Sequence, residues 1–302
     1  MMRGKQGWGD FGPTRKILVT GKNGQVGWEL QRTLACLGEV VALDRQVLDL
    51  SCPDSIRAVI RGVKPHLIVN PAAYTAVDQA ESEPELAQAV NGIAPGVMAE
   101  ESKRLGAVMV HYSTDYVFDG SKSKPYTEED APCPLNVYGR TKLAGEEAVR
   151  AAGVPHLILR TSWVYGARGR NFLLTIRRLA QEREELKIVA DQIGAPTWSR
   201  LIAEATAQIV AQRLGRLQEL QGTYNFTAGG NTSWHGFAAA IVTNGGAVKQ
   251  PRLLPIPSSE YPLPAPRPKN SVLSNDKLRR DFGLAMPDWQ AGLGLCLDDL
   301  AP

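Results

Sequence analysis

The stretch ILVTGKNGQVG, residues 17–27, sets the expectation for the fold of this chain. A short apolar run stands directly before glycines at positions 21, 24 and 27, and the helical pattern WELQRTLACL follows. Glycine lets the backbone turn tightly and approach a pyrophosphate, whose charge is attracted by the free N–H groups of the next helix. The stretch therefore predicts a strand, a phosphate-binding turn and a helix, although glycines also end strands for purely structural reasons.

Outward from this turn, short apolar runs alternate with helical patterns, which indicates a parallel sheet covered by helices. We predict an α/β fold: a Rossmann-type doubly wound parallel sheet with a smaller C-terminal α/β lobe that binds substrate. The predicted strands cover residues 16–20, 40–43, 67–70, 108–112 and 157–160, with a sixth near 223–227. The predicted helices cover residues 25–36, 53–62, 84–104 and 140–152.

These elements divide the chain into three parts. Residues 1–15 carry positive charge without an apolar run, so we expect a flexible N-terminal extension rather than a secretory signal. Residues 16–165, completed by the strand near 223–227, form the predicted dinucleotide-binding domain, and residues 166–302 form mainly the substrate-binding lobe. Seven prolines within residues 251–268 exclude a central strand or a helix interior there, so this segment is expected to be a surface connection.

Composition and charge exclude several classes of protein. No stretch approaches the roughly 20 apolar residues that span a bilayer. The 34 basic and 31 acidic residues are mixed along the chain, which gives no electrostatic case for nucleic acid. The four cysteines and four histidines lack the spacing of a zinc site or a disulfide framework. We expect a cytoplasmic protein that binds no metal.

The end of the second predicted strand bears on the choice of cofactor. Asp44 lies about 20 residues after the glycine turn, where a carboxylate binds the adenosine ribose hydroxyls. Arg45 follows at once, and it is either a partner for a 2′-phosphate or an ordinary surface arginine. The pair is consistent with NADPH and with NADH.

Tyr138 and Lys142 are four residues apart at the start of a helical pattern, so they share one helix face. A nearby ammonium favours phenolate, so we expect Lys142 to lower the pKa of Tyr138 from about 10 and make it a usable general acid. Alone, such a pair is more often a solvated helix face. Thr114 favours catalysis, because it follows the fourth strand at the edge where ligands bind and can hydrogen-bond a carbonyl oxygen.

Motifs over nearly the whole chain from residue 16 add a resemblance. The sequence resembles the dTDP-4-dehydrorhamnose reductase family of extended short-chain dehydrogenases, to which the GxxGxxG spacing also points. The combination of STDYVFDG, RTSWVYG and DQxGxPT is peculiar to this family and its near relatives. The matching segments are GKNGQVGWELQ (21–31), NPAAYTAVDQAE (70–81), HYSTDYVFDG (111–120), PLNVYGRTKLAGE (134–146), LRTSWVYG (159–166), DQIGAPT (191–197) and RPKNSVL (267–273).

The resemblance implies reduction of the C4 keto group of dTDP-4-dehydro-β-L-rhamnose to dTDP-β-L-rhamnose with NADPH or NADH, the last step in making this sugar donor. It implies that Thr114, Tyr138 and Lys142 are catalytic. The residues expected at the cofactor, from this match and from the glycine turn, are Gly21, Asn23, Gly24, Gln25, Val26, Asp44, Arg45, Asp49, Leu50, Ala72, Ala73, Tyr74, Thr75, Tyr138 and Lys142. Those expected at the dTDP-linked 6-deoxy-4-ketohexose are Thr114, Asp115, Tyr116, Tyr138 and Trp163, the last of which is alternatively a core tryptophan.

Two departures from the family pattern matter. Some members form dimers bridged by a divalent cation on three carboxylates; Glu29 matches the first, but Arg200 stands in place of the second. A cation would not sit beside a guanidinium, so we expect no metal and leave a homodimer open. The stretch between Asp44 and Asp49 is also short, which leaves the register of the adenine contacts open.

Two other functions remain open at this stage. One is a related reductase or epimerase of another nucleotide sugar, although His111 and Cys133 fall outside the places where relatives of GDP-fucose synthase carry their extra acid/base pair. The other is a non-catalytic regulatory subunit that resembles the β subunit of methionine adenosyltransferase. The intact set of Thr114, Tyr138 and Lys142 argues for catalysis instead.

Overall fold

The computed structural model describes residues 15–213, 217–245 and 250–300. The extension predicted over residues 1–15 lies outside these ranges except for its last residue. The strands are β1 (Lys16–Thr20), β2 (Glu39–Leu43), β3 (Leu67–Asn70), β4 (Val108–Thr114), β5 (His156–Thr161), β6 (Val164–Tyr165), β7 (Glu185–Val189), β8 (Ile193–Gly194), β9 (Thr197–Trp198), β10 (Gly222–Asn225), β11 (Thr232–Ser233) and β12 (Arg252–Ile256). The α-helices are α1 (Gln25–Thr33), α2 (Pro53–Val63), α3 (Val77–Ala80), α4 (Pro84–Gln88), α5 (Ala94–Leu105), α6 (Val137–Ala152), α7 (Phe172–Glu182), α8 (Ser199–Arg213), α9 (Leu217–Leu220), α10 (Trp234–Asn244), α11 (Asp276–Phe282) and α12 (Trp289–Asp298).

Among the described residues, six strands form one parallel sheet in the order β10-β5-β4-β3-β1-β2. The strand order reverses at β1, which pairs with both β2 and β3. In sheets of this kind, ligands bind outside the carboxyl ends of the strands at such a reversal. The predicted Rossmann-type fold is confirmed, and the sixth predicted strand is β10, which pairs with β5.

Both faces of this sheet are buried. Along β1, Ile17 and Val19 join one apolar cluster with Leu30 of α1 and Ile202 of α8. Leu18 joins a second cluster with residues of α2, α5 and α6. Successive side chains of a strand point to opposite faces, so a strand covered by helices on both sides needs an unbroken apolar run.

The C-terminal part has its own apolar cluster, which includes Tyr165, Leu173, Phe237 and Trp289. Three pairs of short strands accompany helices α7, α10 and α12 there: β7 with β12, β6 with β9, and β8 with β11. Strand β12 lies in the proline-rich segment and contains Pro255. Its pairing with β7 in a two-stranded sheet is compatible with proline, which the sequence excluded from a central strand.

The single helix predicted over residues 84–104 is wrong in detail. A π-helical turn, Ala89–Ile93, separates α4 from α5. Within it, Asn91 Oδ1 accepts a hydrogen bond from Tyr74 N at 2.8 Å, and Asn91 Nδ2 donates to Tyr74 O at 3.0 Å. A Cβ atom at Gly145 of α6 would overlap the Asn91 carbonyl. The wider turn thus fastens the loop after β3 and lets α6 pack closely, as π-turns often do near functional sites.

Candidate active site

The glycine turn after β1 forms a cradle of main-chain atoms. Gly21 has a φ of +60°, a value that favours glycine, and its carbonyl accepts a hydrogen bond from Gly24 N at 2.9 Å. A Cβ atom at Gly27 would overlap that carbonyl, and one at Gly21 would lie 2.9 Å from the Cβ of Ala72. Asn23 and Gly24 are exposed. The turn fits a dinucleotide, whose pyrophosphate needs close approach to the backbone at a helix N-terminus.

The first turn of α1 links this cradle to the C-terminal part. Gln25 Nε2 donates to Val164 O at 3.4 Å, and Gln25 Oε1 accepts a hydrogen bond from Asn171 Nδ2 at 3.0 Å. Val26 packs against the core beneath the sheet. The side chain of Gln25 therefore holds the segment after β6 beside the glycine turn.

Asp44, at the end of β2, forms an ion pair with Lys22, whose Nζ lies 3.0 Å from Asp44 Oδ2. The hydrogen bond from Lys22 holds the pKa of Asp44 below its ordinary value. Arg45 is exposed, and Asp49 accepts hydrogen bonds from the main chain and hydroxyl of the serine two residues later. Sequence reasoning missed Lys22, because its position inside the turn does not show that β2 would bring a carboxylate to it.

The loop after β3 carries the other residues expected at the cofactor. Thr20 Oγ1 accepts a hydrogen bond from Ala72 N at 3.2 Å, which fixes the loop beside β1. The Tyr74 hydroxyl donates to Glu83 Oε2 at 2.7 Å, and burial raises the pKa of Tyr74 to about 12. The Tyr74 hydroxyl is therefore engaged by another side chain of the protein. Of the remaining expected residues, Leu50 is buried, Ala73 is half-buried and Thr75 is exposed.

The structure brings Thr114, Tyr138 and Lys142 together between β4 and α6. Helix α6 begins three residues earlier than predicted, because Asn136 caps it with a side-chain hydrogen bond, and this places Tyr138 in its first turn. The Thr114 hydroxyl lowers the pKa of Tyr138, against the larger opposite effect of burial, so the two side chains are neighbours. Lys142 Nζ donates to Tyr112 O at 2.6 Å. The three side chains therefore share the carboxyl edge of the sheet.

The expectation that Lys142 lowers the pKa of Tyr138 is wrong. Burial raises the pKa of Tyr138 to about 12, and the charge of Asp115 adds to this effect, while the Thr114 hydroxyl opposes it. Lys142 donates instead to a main-chain carbonyl of β4. Desolvation of the phenol therefore has a larger effect on its pKa than the cation one helical turn away. Tyr138 is therefore held in its protonated form, as a proton donor must be.

A second carboxyl group lies directly against this set. Thr114 Oγ1 donates to Asp115 Oδ1 at 2.9 Å. Burial raises the pKa of Asp115 to about 7, although the neighbouring hydroxyl groups of Ser271 and Thr114 lower it. The ring of Tyr116 meets that of Tyr138 edge-on, with centroids 5.6 Å apart. The carboxyl group of Asp115 therefore titrates near neutral pH, next to the candidate proton donor.

Asp115→Asn should raise the melting temperature more at about pH 8 than at about pH 5. The pKa of Asp115 rises from 3.8 to about 7 on folding, so the folded state favours the protonated carboxyl. That contribution to stability is complete below the unfolded value and is lost as the pH rises through about 7. Asparagine stays neutral at both values. Thermal denaturation of both proteins at the two pH values checks this, and an equal difference at both would contradict it.

Trp163 occupies a strained position after β5. It has a φ of +45°, and its half-buried ring stacks on Trp234 with centroids 3.5 Å apart. A Cβ atom at Gly194 would lie 2.5 Å from the same ring. The ring thus joins two of the segments that carry the family motifs, residues 159–166 and 191–197, and it also packs against α10 through Trp234. Its expected contact with substrate stays a prediction.

Arg267 is a residue for which no role was predicted. It forms a two-pronged ion pair with Asp78, with nitrogen–oxygen distances of 2.6 and 2.7 Å, and its charge lies close enough to Tyr116 to act on the pKa of that phenol. It thereby fastens the proline-rich segment to α3, near the ring that contacts Tyr138. The position of this arginine between two prolines was the available signal, but its partner is nearly 190 positions away in the chain.

Comparison with known proteins agrees with this arrangement. The chain matches the family model described as the RmlD substrate binding domain over residues 15–301. It is 54% identical to the dTDP-4-dehydrorhamnose reductase of Burkholderia thailandensis over 294 residues, which cover 94% of this chain and 99% of the relative. The chain belongs to the dTDP-4-dehydrorhamnose reductase family. The resemblance seen in the motifs is confirmed.

Other members of the dTDP-4-dehydrorhamnose reductase family also match this chain over nearly their whole length. The enzyme of Escherichia coli K12 is 46% identical over 292 residues, 94% of this chain and 97% of the relative. The crystal structure of the Bacillus anthracis enzyme in complex with NADP has a TM-score of 0.89 at 37% identity, and the match covers 95% of this chain and all of that one. Likeness to the UDP-glucose 4-epimerase of Thermus thermophilus, at 22% identity and a TM-score of 0.77, shows the fold alone.

The bridging cation of some dTDP-4-dehydrorhamnose reductases does not fit this chain. Arg200 Nη1 lies 3.0 Å from Asp299 Oδ2, and Arg200 Nε lies 3.1 Å from Glu204 Oε1. Its charge also lowers the pKa of Glu29, although burial leaves that pKa raised overall. The guanidinium of Arg200 therefore already supplies positive charge to Glu29, Glu204 and Asp299. Within the described ranges, no group of three or more His, Cys, Asp or Glu residues could hold a metal ion.

The described part of the chain has no helix that is both long enough and apolar enough to cross a membrane.

Proposed function

We propose that this protein reduces the C4 keto group of dTDP-4-dehydro-β-L-rhamnose to dTDP-β-L-rhamnose with NADPH or NADH. The observation that carries the proposal is the meeting of Thr114, Tyr138 and Lys142 at the carboxyl edge of the sheet, beside the glycine cradle. The names of relatives at 46% and 54% identity support the same reaction.

The cofactor would lie across the end of β1, where the exposed glycine turn and the start of α1 fit a dinucleotide. The glycine turn and the start of α1 receive the pyrophosphate, Asp44 receives the adenosine ribose, and the loop of Ala72 and Ala73 borders the opposite side. When bound, NADPH or NADH supplies the hydride. The NADP complex of the Bacillus anthracis relative supports the choice of cofactor.

The side chains between β4 and α6 handle the carbonyl oxygen and its proton. Thr114 hydrogen-bonds the oxygen, and Tyr138, which its high pKa keeps protonated, donates the proton. Lys142 is anchored on the Tyr112 carbonyl, and its positive charge would lie near the substrate oxygen and the nicotinamide ribose when both are bound. Exclusion of water by this buried edge strengthens each of these interactions.

The C-terminal part holds the sugar nucleotide against this edge. We assign residues 16–165 with β10 to cofactor binding and most of residues 166–302 to the substrate. Asp115, Tyr116 and Trp163 border the sugar, because they follow β4 and β5 where both parts meet. We also propose that the enzyme works in the cytoplasm, where its cofactor and nucleotide sugar are found. A homodimer remains to be tested by light scattering.

Arg45→Ala should weaken NADPH roughly tenfold to hundredfold, the range for one hydrogen bond to a charged group, and should barely change NADH. Asp44 already has a cationic partner in Lys22, so the exposed Arg45 is the guanidinium left for a 2′-phosphate. Dissociation constants of both cofactors at two salt concentrations check this, since an exposed charge contact weakens with ionic strength. Arg57→Ala on α2 is the control. Equal loss for both cofactors, or loss for neither, would remove Arg45 from the phosphate site.

Specificity for the nucleotide is tested with a panel of 4-keto sugars. The proposed enzyme oxidises NADPH in the presence of the dTDP-linked 6-deoxy-4-ketohexose and turns over its GDP-linked counterpart far more slowly. Faster turnover of the GDP-linked sugar would show that the substrate is another nucleotide sugar. The regulatory-subunit alternative is not favoured, because the relatives are named as reductases and the catalytic set is assembled. Failure of every ketosugar, together with co-purification of an adenosyltransferase, would revive it.

A further inference from the structure

A carboxylate is buried one helical turn beyond Lys142. Glu146 has no exposed surface, and it accepts two hydrogen bonds from Arg160, at 2.8 Å from Nε and 2.7 Å from Nη2. Arg160 is itself only 2% exposed. The family reaction as described above gives this pair no part. A buried ion pair costs desolvation energy and is by itself weak evidence of stabilisation, so its presence calls for another reason.

The pair lies next to the catalytic lysine. Tyr138, Lys142 and Glu146 follow one another at four-residue intervals on α6, so they line one face of the helix. Lys142 donates to the carbonyl of Tyr112, and Arg160 stands opposite the next residue, Ser113, in the pairing of β4 with β5. The carboxylate therefore lies behind the ammonium, on the side away from the phenol.

The charges around Lys142 explain what a carboxylate there does. Burial lowers the pKa of Lys142 to about 8, and Glu146 opposes that loss. The ionisable groups facing it from β4 and β5 are His111, whose pKa burial holds well below its ordinary value, and Arg160. Neither offers a negative charge. Burial raises the pKa of Glu146, but the hydrogen bond and charge of Arg160 hold it below its ordinary value, so the carboxylate stays ionised.

We propose that Glu146 is a positioning residue that keeps Lys142 in its ammonium form inside the protein, and that Arg160 serves to keep Glu146 ionised. Three charged groups follow one another from β5 to the catalytic edge: the guanidinium of Arg160, the carboxylate of Glu146 and the ammonium of Lys142. The inference rests on the role proposed for Lys142. Its main test needs neither cofactor nor substrate, so it can fail while the reductase function stands.

The test measures the titration of Lys142 directly. Protein with ¹³C-labelled lysine is titrated without cofactor by NMR, and the Lys142 signal is assigned from its loss in Lys142→Arg. Glu146→Gln should lower the midpoint by at least about one pH unit, the lower range for loss of a nearby opposite charge. The alkaline limb of kcat/KM should move down by the same amount. Glu146→Asp, which keeps the charge, should restore most of the midpoint.

If Glu146 and Arg160 have only a structural role, the titration midpoint of Lys142 should follow the stability of the protein. Glu146→Gln leaves the Arg160 charge buried and alone, so the double variant Glu146→Gln/Arg160→Met removes that penalty and should recover melting temperature. Under our proposal the double variant still shows the lowered Lys142 midpoint. If recovery of stability also returns the midpoint to the wild-type value, Glu146 acts only through packing and the proposal is wrong.

Glu101→Gln is the matched control. Glu101 is 1% exposed and accepts hydrogen bonds from Arg61 at 2.8 and 2.7 Å, the same two-pronged geometry on the α2–α5 side of the sheet. It should lose stability without moving the Lys142 midpoint. A double variant at positions 146 and 160 that cannot fold, while Glu101→Gln folds, would also overturn the proposal, because Glu146 would then be required for folding.

Discussion

Tyr138→Phe should lower kcat at least ~10²-fold, the lower range for loss of a general acid. The phenol lies beside Thr114, and its pKa of about 12 keeps it protonated over the whole neutral range. Phenylalanine keeps the ring and its edge-on contact with Tyr116, so the fold and the dissociation constant of NADPH should not change. Steady-state kinetics with the dTDP-linked ketosugar and fluorescence titration of NADPH give the two measurements.

Tyr224→Phe is the matched control for this substitution. Its hydroxyl is also engaged, donating to Leu220 O at 2.8 Å, but in β10 and away from the catalytic edge. It should cost stability and leave kcat near the wild-type value below the melting temperature. Turnover of Tyr138→Phe close to that of Tyr224→Phe would show that another group delivers the proton.

Gly27→Ala should weaken NADPH at least ~10-fold and lower the free energy of unfolding by about 1–3 kcal/mol, the usual cost of overpacking. Its Cβ atom would overlap the carbonyl of Gly21, so either α1 or the glycine turn must shift. Because we propose that the turn receives the pyrophosphate, the same shift should affect stability and cofactor binding together. Denaturant unfolding and titration with NADPH measure the two effects.

The control is Gly62→Ala, a second glycine inside a helix. A Cβ atom there would have no neighbour within 4 Å, so alanine should raise the free energy of unfolding by roughly 0.5–1 kcal/mol through reduced backbone freedom. NADPH affinity should stay unchanged. If Gly27→Ala behaves like Gly62→Ala, the close contact between α1 and the glycine turn does not shape the cofactor site.

The sheet could be predicted closely because its strands follow one simple physical rule. An unbroken apolar run is needed where both faces are covered, and residues 16–20 and 67–70 show such runs with the same bounds in the structure. Features that depend on close contact between backbones distant in sequence were harder to predict. The π-turn at Asn91 depends on the close approach of α6 at Gly145, which no local pattern reveals.

The meeting of the candidate catalytic residues could be predicted from the sequence, but their electrostatics could not. The spacing of Tyr138 and Lys142 and the position of Thr114 after a strand place all three at one edge. The pKa of Tyr138 depends instead on burial, which comes from packing of both lobes. Similarly, Lys22 and Asp44 follow β1 and β2, and only the sheet order shows that these two strands are neighbours.

Transfer of deuterium from the cofactor to the sugar tests the central claim most directly. NADPH carrying deuterium at the transferable C4 position is mixed with the protein and enzymatically prepared dTDP-4-dehydro-β-L-rhamnose, and the product is analysed by NMR. The account predicts one dTDP-β-L-rhamnose for each NADPH oxidised, with the deuterium on C4 of the sugar. Folded protein that binds NADPH and yet leaves this ketosugar unreduced, or places the deuterium on another carbon, would contradict it.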